Sequence, residues 1–275
     1  MPKLTKLPMS NNTPNHMPNH NKSSDLNEVS SETNVIDPLA AITLTPIATV
    51  VSPYKEKFAI PRQPNLVNCA QGKVVFIGAA NNEELLRGIE QFSHLWLIFI
   101  FHGTQTQGWK PLVRPPRLGG NKKLGVLATR STFRPNPIGM SVVKLERVIQ
   151  LSDGNVELHI SGLDLLDGTP IVDIKPYIPY SDALTDAEAG FAQHQPIAPL
   201  TVTFNAQAKK TLAEISVQYP QLTLLIEQVL AQDPRPAYKR NKLDDKCYGM
   251  TLYDLDIQWQ MSSLQAIEVI AILKK

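Results

Sequence analysis

The chain has 275 residues, 43% of them hydrophobic and 19% charged, with a formal net charge of +2. This suits a soluble globular protein of one large or two modest domains with a real core. Its two cysteines, Cys69 and Cys247, lie far apart without metal-ligand spacing, which argues against a disulfide framework or a zinc site. The longest strongly apolar stretch, LWLIFIF at 95–101, is too short to span a bilayer, and no apolar run long enough for a signal peptide follows Lys3 and Lys6. A cytoplasmic protein is expected.

Residues 1–41, including SNNTPNHMPNHNKSS, are rich in Asn, Pro, Ser and Thr. Such a tract buries too little surface to offset its ordering entropy, and a disordered tail is expected. His16 and His20 sit within it with no further ligands nearby, so a metal site is not expected there. After the tail, β signals dominate: ITLTPIATVVS, GKVVFIG, HLWLIFIFHG, KLGVLAT, SVVKLERVIQL, VELHISGLDLL and TPIVDIKPYIP are short runs rich in Val, Ile, Leu and Thr. The repetition predicts a barrel or a curled antiparallel sheet, with SDGN at 152–155 as a tight hairpin turn.

One helix is expected within the series. NNEELLRGIEQF has an Asn cap, acidic residues in its first turn, and Leu85, Leu86, Ile89 and Phe92 along one face. Strands do not alternate regularly with helices, which argues against a doubly wound parallel sheet. From Pro196 the texture changes to a strand, a helix through Leu212, Ile215 and Val217, a break at Pro220, and a second helix through Leu224, Leu225 and Val229. CYGMTLYDLDIQWQ and QAIEVIAILKK then read as a β-hairpin. The organisation expected is a tail at 1–41, a barrel domain at 42–195 and a small α+β domain at 196–275.

Charge is segregated along the chain. Between Glu90 and Glu146 there is no Asp or Glu, while Lys110, Arg114, Arg117, Lys122, Lys123, Arg130, Arg134 and Lys144 fall in that window. Such a stretch attracts phosphate on a nucleic acid or on a smaller anion, and the alternative is a solvated basic face. Within it, ATRSTFRPNPIGMS at 128–141 is a loop stiffened by Pro135 and Pro137, presenting Arg130 and Arg134. A rigid loop loses little entropy when an anion arrives, although one arginine, more readily Arg134, is expected to pin the loop's own carbonyls.

Other loops carry chemistry-bearing residues. GLDLLDGTPIVDIKPYIPYSD brings the carboxylates Asp164, Asp167, Asp173 and Asp182 around the DLLDGTP turn, without the His or Glu cluster a metal shell needs. Arg62 and Gln63 lie between two prolines, and His102 and Gly103 end an apolar run. DPRPAY places Asp233, Arg235 and Tyr238 after a helix, a combination that suits phosphate contact and base stacking but is equally a helix stop packed on a domain boundary.

Taken together, IPRQP, FSHLWLIFIFH, RPPRLGG, ATRSTFRPNPIGMS, LDLLDGTPIVDIKPYIP and DPRPAY resemble the TsaA-like methyltransferases. More closely, they resemble its bacterial tRNA enzymes, which use S-adenosylmethionine to methylate N6 of N6-threonylcarbamoyladenosine at tRNA position 37, beside the anticodon. The likeness runs from about residue 47 to the C-terminus and leaves out only the tail. It implies a mainly β fold, a single-sheeted barrel holding S-adenosylmethionine, with a small C-terminal α+β domain that contacts tRNA. This agrees with the absence of a Rossmann glycine fingerprint.

The resemblance further implies cofactor contacts at Pro61, Arg62, Gln63, His102, Gly103, Arg130 and Met140, and at Leu166, Asp167, Gly168 and Thr169. Asp167 and Asp173 are the expected acceptors of the N6 proton, with Tyr177 a weaker candidate. Arg114, Arg117, Lys122, Lys123, Arg134, Asp233, Arg235 and Tyr238 are expected to meet the anticodon arm, of a threonine-type tRNA. A homodimer is implied; no metal or membrane is. The competing classes are a non-catalytic RNA-binding barrel with a retained pocket and an enzyme for a small anionic substrate.

Overall fold

The computed structural model describes residues 41–275 apart from 198 and 241, so the Asn- and Pro-rich tract with His16 and His20 lies outside the described residues. Residues Leu44–Lys275 form one compact unit. Period-two patterning builds its first half: in β3 (His94–Ile100), Leu95, Leu97 and Phe99 point inward and are buried, while the residues between them keep some exposure. The same alternation runs through β1 (Ala48–Val51), β2 (Gln71–Phe76) and the first half of β6 (Ile138–Gln150). With β7 (Val156–Ser161) and β8 (Pro170–Pro176) they close a barrel in the order β1-β2-β7-β6-β3-β8, every neighbouring pair antiparallel. Its interior is filled by side chains such as Val50, Val74, Leu97, Leu158 and Ile171, each contributing roughly 1.5–3 kcal/mol on burial. Closure leaves this sheet no free edge.

The SDGN turn joins β6 to β7, with Gly154 left-handed at φ 83° and the Leu151 N–H donating to the Asn155 carbonyl at 2.8 Å. Two predicted elements differ. The helix expected over 81–92 is a pair of 3-10 segments, Glu83–Leu86 and Ile89–Gln91, separated by Gly88 at φ 88°. Asn82 does cap the first, accepting from the Glu84 N–H at 3.0 Å, but only Leu86 of the supposed apolar face is buried. KLGVLAT forms only the two-residue β5 (Leu124–Gly125), paired with β4 (Leu112–Val113), before turning into a 3-10 segment.

The helical turn α1 (Pro179–Asp182) follows the barrel. Next come β9 (Thr201–Phe204), α2 (Ala206–Ile215), capped by Asn205, and α3 (Leu222–Ala231), which buries Leu222, Leu225, Ile226, Val229 and Leu230. Helix α2 stops at Ile215, leaving the expected helical residue Val217 beyond its end and exposed. The predicted terminal hairpin is larger than expected. Strands β10 (Tyr248–Leu252), β11 (Leu255–Ser263) and β12 (Ala266–Lys274) are joined by β9, parallel to β12, in a four-stranded sheet. A parallel partner needs a long crossover, here both helices and a hairpin, so local sequence does not announce it.

This C-terminal part is sewn to the long connection between β1 and β2. Tyr54 bridges Leu252, and the Tyr253 N–H donates to the Pro53 carbonyl at 2.8 Å. Gln228 of α3 donates to Asn68 at 3.0 Å and accepts from the Cys69 thiol at 3.3 Å. On the barrel side, the Asn65 N–H donates to the Gly162 carbonyl at 2.9 Å, both residues being left-handed. A Cβ at Gly162 would run into the Asn65 side chain as well as face its φ of 71°. Gly162→Ala is therefore expected to destabilise the fold by about 2 kcal/mol, lowering the melting temperature by roughly 4–8 °C in a circular dichroism melt. Asn65→Gly in the same chain should recover part of the loss.

Candidate active site

Strand polarity collects the loops. Val51 at the end of β1 pairs with Lys73, and Gln71 at the start of β2 pairs with Ser161 at the end of β7. Thr49 pairs with Pro170, Phe99 with Ile171, and Ile100 with Ile138, so β8 and β6 begin where β1 and β3 stop. The segments carrying Pro61 to Gln63, His102 and Gly103, Arg130, and Leu166 to Thr169 thus all hang from one end of the barrel, with Met140 on the first residues of β6. More than a hundred residues separate the first from the last; closure brings them together.

Direct contacts tie these segments pairwise. Arg130 Nη1 donates to Gln63 Oε1 at 2.6 Å, and a Cβ added to Gly103 would touch Leu166 Cδ2 at 3.5 Å. The turn at 166–169 is fixed from within and without: Thr169 Oγ1 donates to the Leu166 carbonyl at 2.6 Å, and the Gly168 N–H donates to the Val50 carbonyl at 2.8 Å. Gly168 takes φ 72°, which glycine adopts without strain. Asp167 faces β1, accepting from the Ser52 N–H at 2.8 Å and pairing with Lys55 Nζ at 2.7 Å. Met140, half exposed, stands beside Ile98, which pairs in turn with Asp173, so Met140 and Asp173 share the outer face of the sheet. Asp173 pairs with Lys175 Nζ at 2.9 Å. Tyr177 packs its ring against Trp96, also on the outer face.

One of the carboxylates noted around the DLLDGTP turn, but given neither a cofactor contact nor the proton-accepting role, sits between these segments. Asp164 Oδ1 accepts from Ser141 Oγ at 2.5 Å, and Ser141 points into the barrel, 1% exposed. Asp164 keeps only a partial edge to solvent. Burial pushes its carboxyl from 3.8 up to about 6, against the opposing pull of the Ser141 hydrogen bond and the Arg130 charge. The signal in the sequence was its place between Leu163 and Leu165, both buried: a carboxylate inside an apolar run.

The expected RNA contacts divide into two groups. Arg114, Lys122 and Lys123 are exposed around the β4–β5 ribbon and make no ion pair among the described residues. Arg117, on the same arm, is exposed and donates to the His194 carbonyl, and Lys110 lies 4.4 Å over the Phe133 ring. Tyr238 is 71% exposed. Arg134 instead turns inward on its own loop, donating to the Thr129 carbonyl at 2.6 Å, which makes it the structural arginine of the pair.

Asp233 and Arg235 require a correction. The Arg235 side chain is wholly buried, bonded through Nε and Nη2 to Asp233 and through Nη1 to the Lys242 carbonyl at 2.9 Å. Neither is displayed to a phosphate; the motif fixes the loop after α3. That loop brings Arg240 close to the Pro61 to Gln63 segment: burial, then the Arg240 charge, lowers the Arg62 guanidinium pKa. Among the described residues no group of three His, Cys, Asp or Glu is placed to hold a metal, and no helix is long and apolar enough to cross a membrane.

Comparison with known proteins decides the lineage. The tRNA-methyltransferase O N-terminal domain matches residues 49–183, and the TrmO C-terminal domain matches 197–275. The chain belongs to the TrmO family. A tRNA (adenine(37)-N6)-methyltransferase from Escherichia coli (strain K12) is 53% identical over 216 residues, covering 78% of this chain and 92% of the relative. A putative S-adenosylmethionine-dependent methyltransferase from Pseudomonas aeruginosa is 46% identical, covering 83% and 96%. A crystal structure of TrmO from Pseudomonas aeruginosa superposes with a TM-score of 0.71 at 40% identity, covering 86% of this chain and 99% of that one. TrmO membership agrees with the mainly β barrel seen here and makes the chain an enzyme of the tRNA-methyltransferase type.

Proposed function

We propose that this TrmO-family enzyme methylates N6 of N6-threonylcarbamoyladenosine at position 37 of a threonine-type tRNA, using S-adenosylmethionine. The observation that carries this reading is the gathering of four separate loop segments at one barrel end, beside an arm whose cations make no ion pair among the described residues. The residues suit the cofactor. Arg130 supplies a cation for a carboxylate, the glycines at 103 and 168 leave room for close backbone approach, and Thr104 has a buried hydroxyl with no partner among the described residues. When bound, S-adenosylmethionine supplies an electrophilic methyl on a sulfonium.

The chain's own residues then orient and exclude water. The connection carrying Pro61, Arg62 and Gln63 is tied down at Asn65 and Asn68, and the turn at 166–169 is tied to β1, which favours positioning as the main source of acceleration. Residues 42–195 form the cofactor-binding part and 196–275 the part that helps seat the anticodon arm, with Arg114, Arg117, Lys122 and Lys123 on phosphates and Tyr238 offering a ring for stacking. A homodimer, expected from the resemblance, is supported by the exposure of Trp109, Leu112, Leu127 and Met140 near this end. Asp167 and Asp173, put forward for the N6 proton, each already hold a lysine, and this suits Asp167 to shaping the turn.

The test uses methyl-labelled S-adenosylmethionine with total tRNA from cells that have or lack the threonylcarbamoyl modification. Label on the modified tRNA alone is the expected outcome. Label on both preparations removes the threonylcarbamoyl requirement, and label on neither removes the catalytic reading.

A further inference from the structure

We propose that Asp164, held by Ser141 at the mouth of the barrel, is the carboxylate that accepts the N6 proton during methyl transfer. The inference rests on the functional reading above, and its geometry is specific. Asp164 lies in the connection between β7 and β8, two residues before the turn at 166–169, and Ser141 is the next residue after Met140 on β6. Oδ1 is engaged by the Ser141 hydroxyl at 2.5 Å, while Oδ2 has no side-chain partner among the described residues. Oδ1 is thus anchored, the Asp164 backbone N–H adds a further hydrogen bond to the carboxylate, and no described side chain engages Oδ2. Asp164 differs in this from Asp167 and Asp173, whose carboxylates are neutralised by Lys55 and Lys175.

The groups facing Asp164 come from three elements. Ser141 approaches from β6, Arg130 from the loop before it, and Tyr54, wholly buried, from the β1–β2 connection. Arg130, itself oriented by Gln63, favours the ionised form, so the acid is ready as a base near neutrality; burial keeps it basic enough to take a proton. In the step, the nitrogen lone pair forms the N–CH3 bond, the S–CH3 pair stays on sulfur, and the N6–H proton passes to Asp164 Oδ2 and then to water.

Asp164→Asn tests this in single turnover with saturating tRNA and S-adenosylmethionine. Wild-type rate should rise with pH to a plateau with a midpoint of about 6, because the base must be ionised. The variant should lose that limb and about 100-fold or more in rate, at the scale of a general base, with both ligand affinities within about threefold by calorimetry.

The ligand-free chain gives an independent readout. A folded carboxyl at about 6, above its ordinary 3.8, makes ionisation destabilising, so wild-type stability falls as pH rises between those values. The melting temperature of Asp164→Asn relative to wild type should therefore climb across that window and level off above it. A variant rate within a few-fold of wild type with the pH limb intact overturns the proposal. So does a rate deficit abolished by raising S-adenosylmethionine, which would make Asp164 a cofactor ligand.

If Asp164→Asn does not fold, Ser141→Ala decides: removing a bond that lowers the carboxyl pKa should move the limb to higher pH, and an unmoved limb overturns the assignment. Wild type that transfers no methyl to any tRNA sinks the functional reading and this proposal together. An active wild type with an equally active Asp164→Asn sinks Asp164 alone.

Discussion

Arg235→Ala is expected to destabilise the protein by about 3–5 kcal/mol, the usual consequence of stranding one member of a buried ion pair. The guanidinium has no exposed surface and Asp233 very little, and two of the three nitrogens are committed to that carboxylate. Without Arg235, the Asp233 carboxylate stays in the interior with nothing to offset its lost hydration. At roughly 2–4 °C per kcal/mol for a domain of this size, the melting temperature should fall by about 6–20 °C. Asp233→Ala should be comparable, because it leaves the guanidinium unpaired instead. The double variant should lose less than the sum of the two, since it removes both charges. Because Arg235 also holds the Lys242 carbonyl, tRNA affinity should fall only through loosening of the loop that carries Tyr238 and Arg240. Loss of tRNA affinity with an unchanged melting temperature would restore Arg235 to the RNA surface and contradict the structure.

Arg130→Ala is expected to weaken S-adenosylmethionine binding by about 10- to 100-fold, the scale of a lost charge-assisted hydrogen bond to a carboxylate. The side chain is exposed yet held by Gln63 at 2.6 Å, so its removal takes the cation from the proposed cofactor pocket but costs little stability. Arg130→Lys should recover only part of the affinity, because the ammonium keeps the charge without the planar fork. Calorimetry with S-adenosylmethionine and no RNA isolates this effect. An affinity within twofold of wild type would move Arg130 from the cofactor to the RNA. The same variant removes a charge that favours ionised Asp164, so the pH limb assigned to that residue should move upward.

The strands were legible because half-buried sheets impose alternation, and His94–Ile100 displays it without interruption. The helix expected over 81–92 is broken at Arg87, whose ψ of 116° leaves the helical region, and at Gly88, left-handed at φ 88°, and apolar spacing alone does not report either. The β9–β12 pairing was invisible for a different reason, since parallel register between residues some 65 apart depends on where two helices pack.

Loop chemistry divided along the same line. Arg130 and Arg134 are four residues apart in one stiff loop; the return of Arg134 to the loop's own Thr129 carbonyl is the local contact expected from sequence, while only the fold brings Gln63 to Arg130. Asp233 and Arg235 fit either a phosphate-facing loop or a packed helix stop in sequence, and burial decides for the second. By itself the sequence determined the strand-rich class, the acid-free basic window and the motif set that points to the TrmO family, because composition, alternation and local turn chemistry are short-range properties. The tertiary structure alone decided which carboxylates are held by lysines, that Arg235 is buried and that Asp164 meets Ser141. Those outcomes depend on barrel closure, which sets the burial and neighbours of residues distant in the chain.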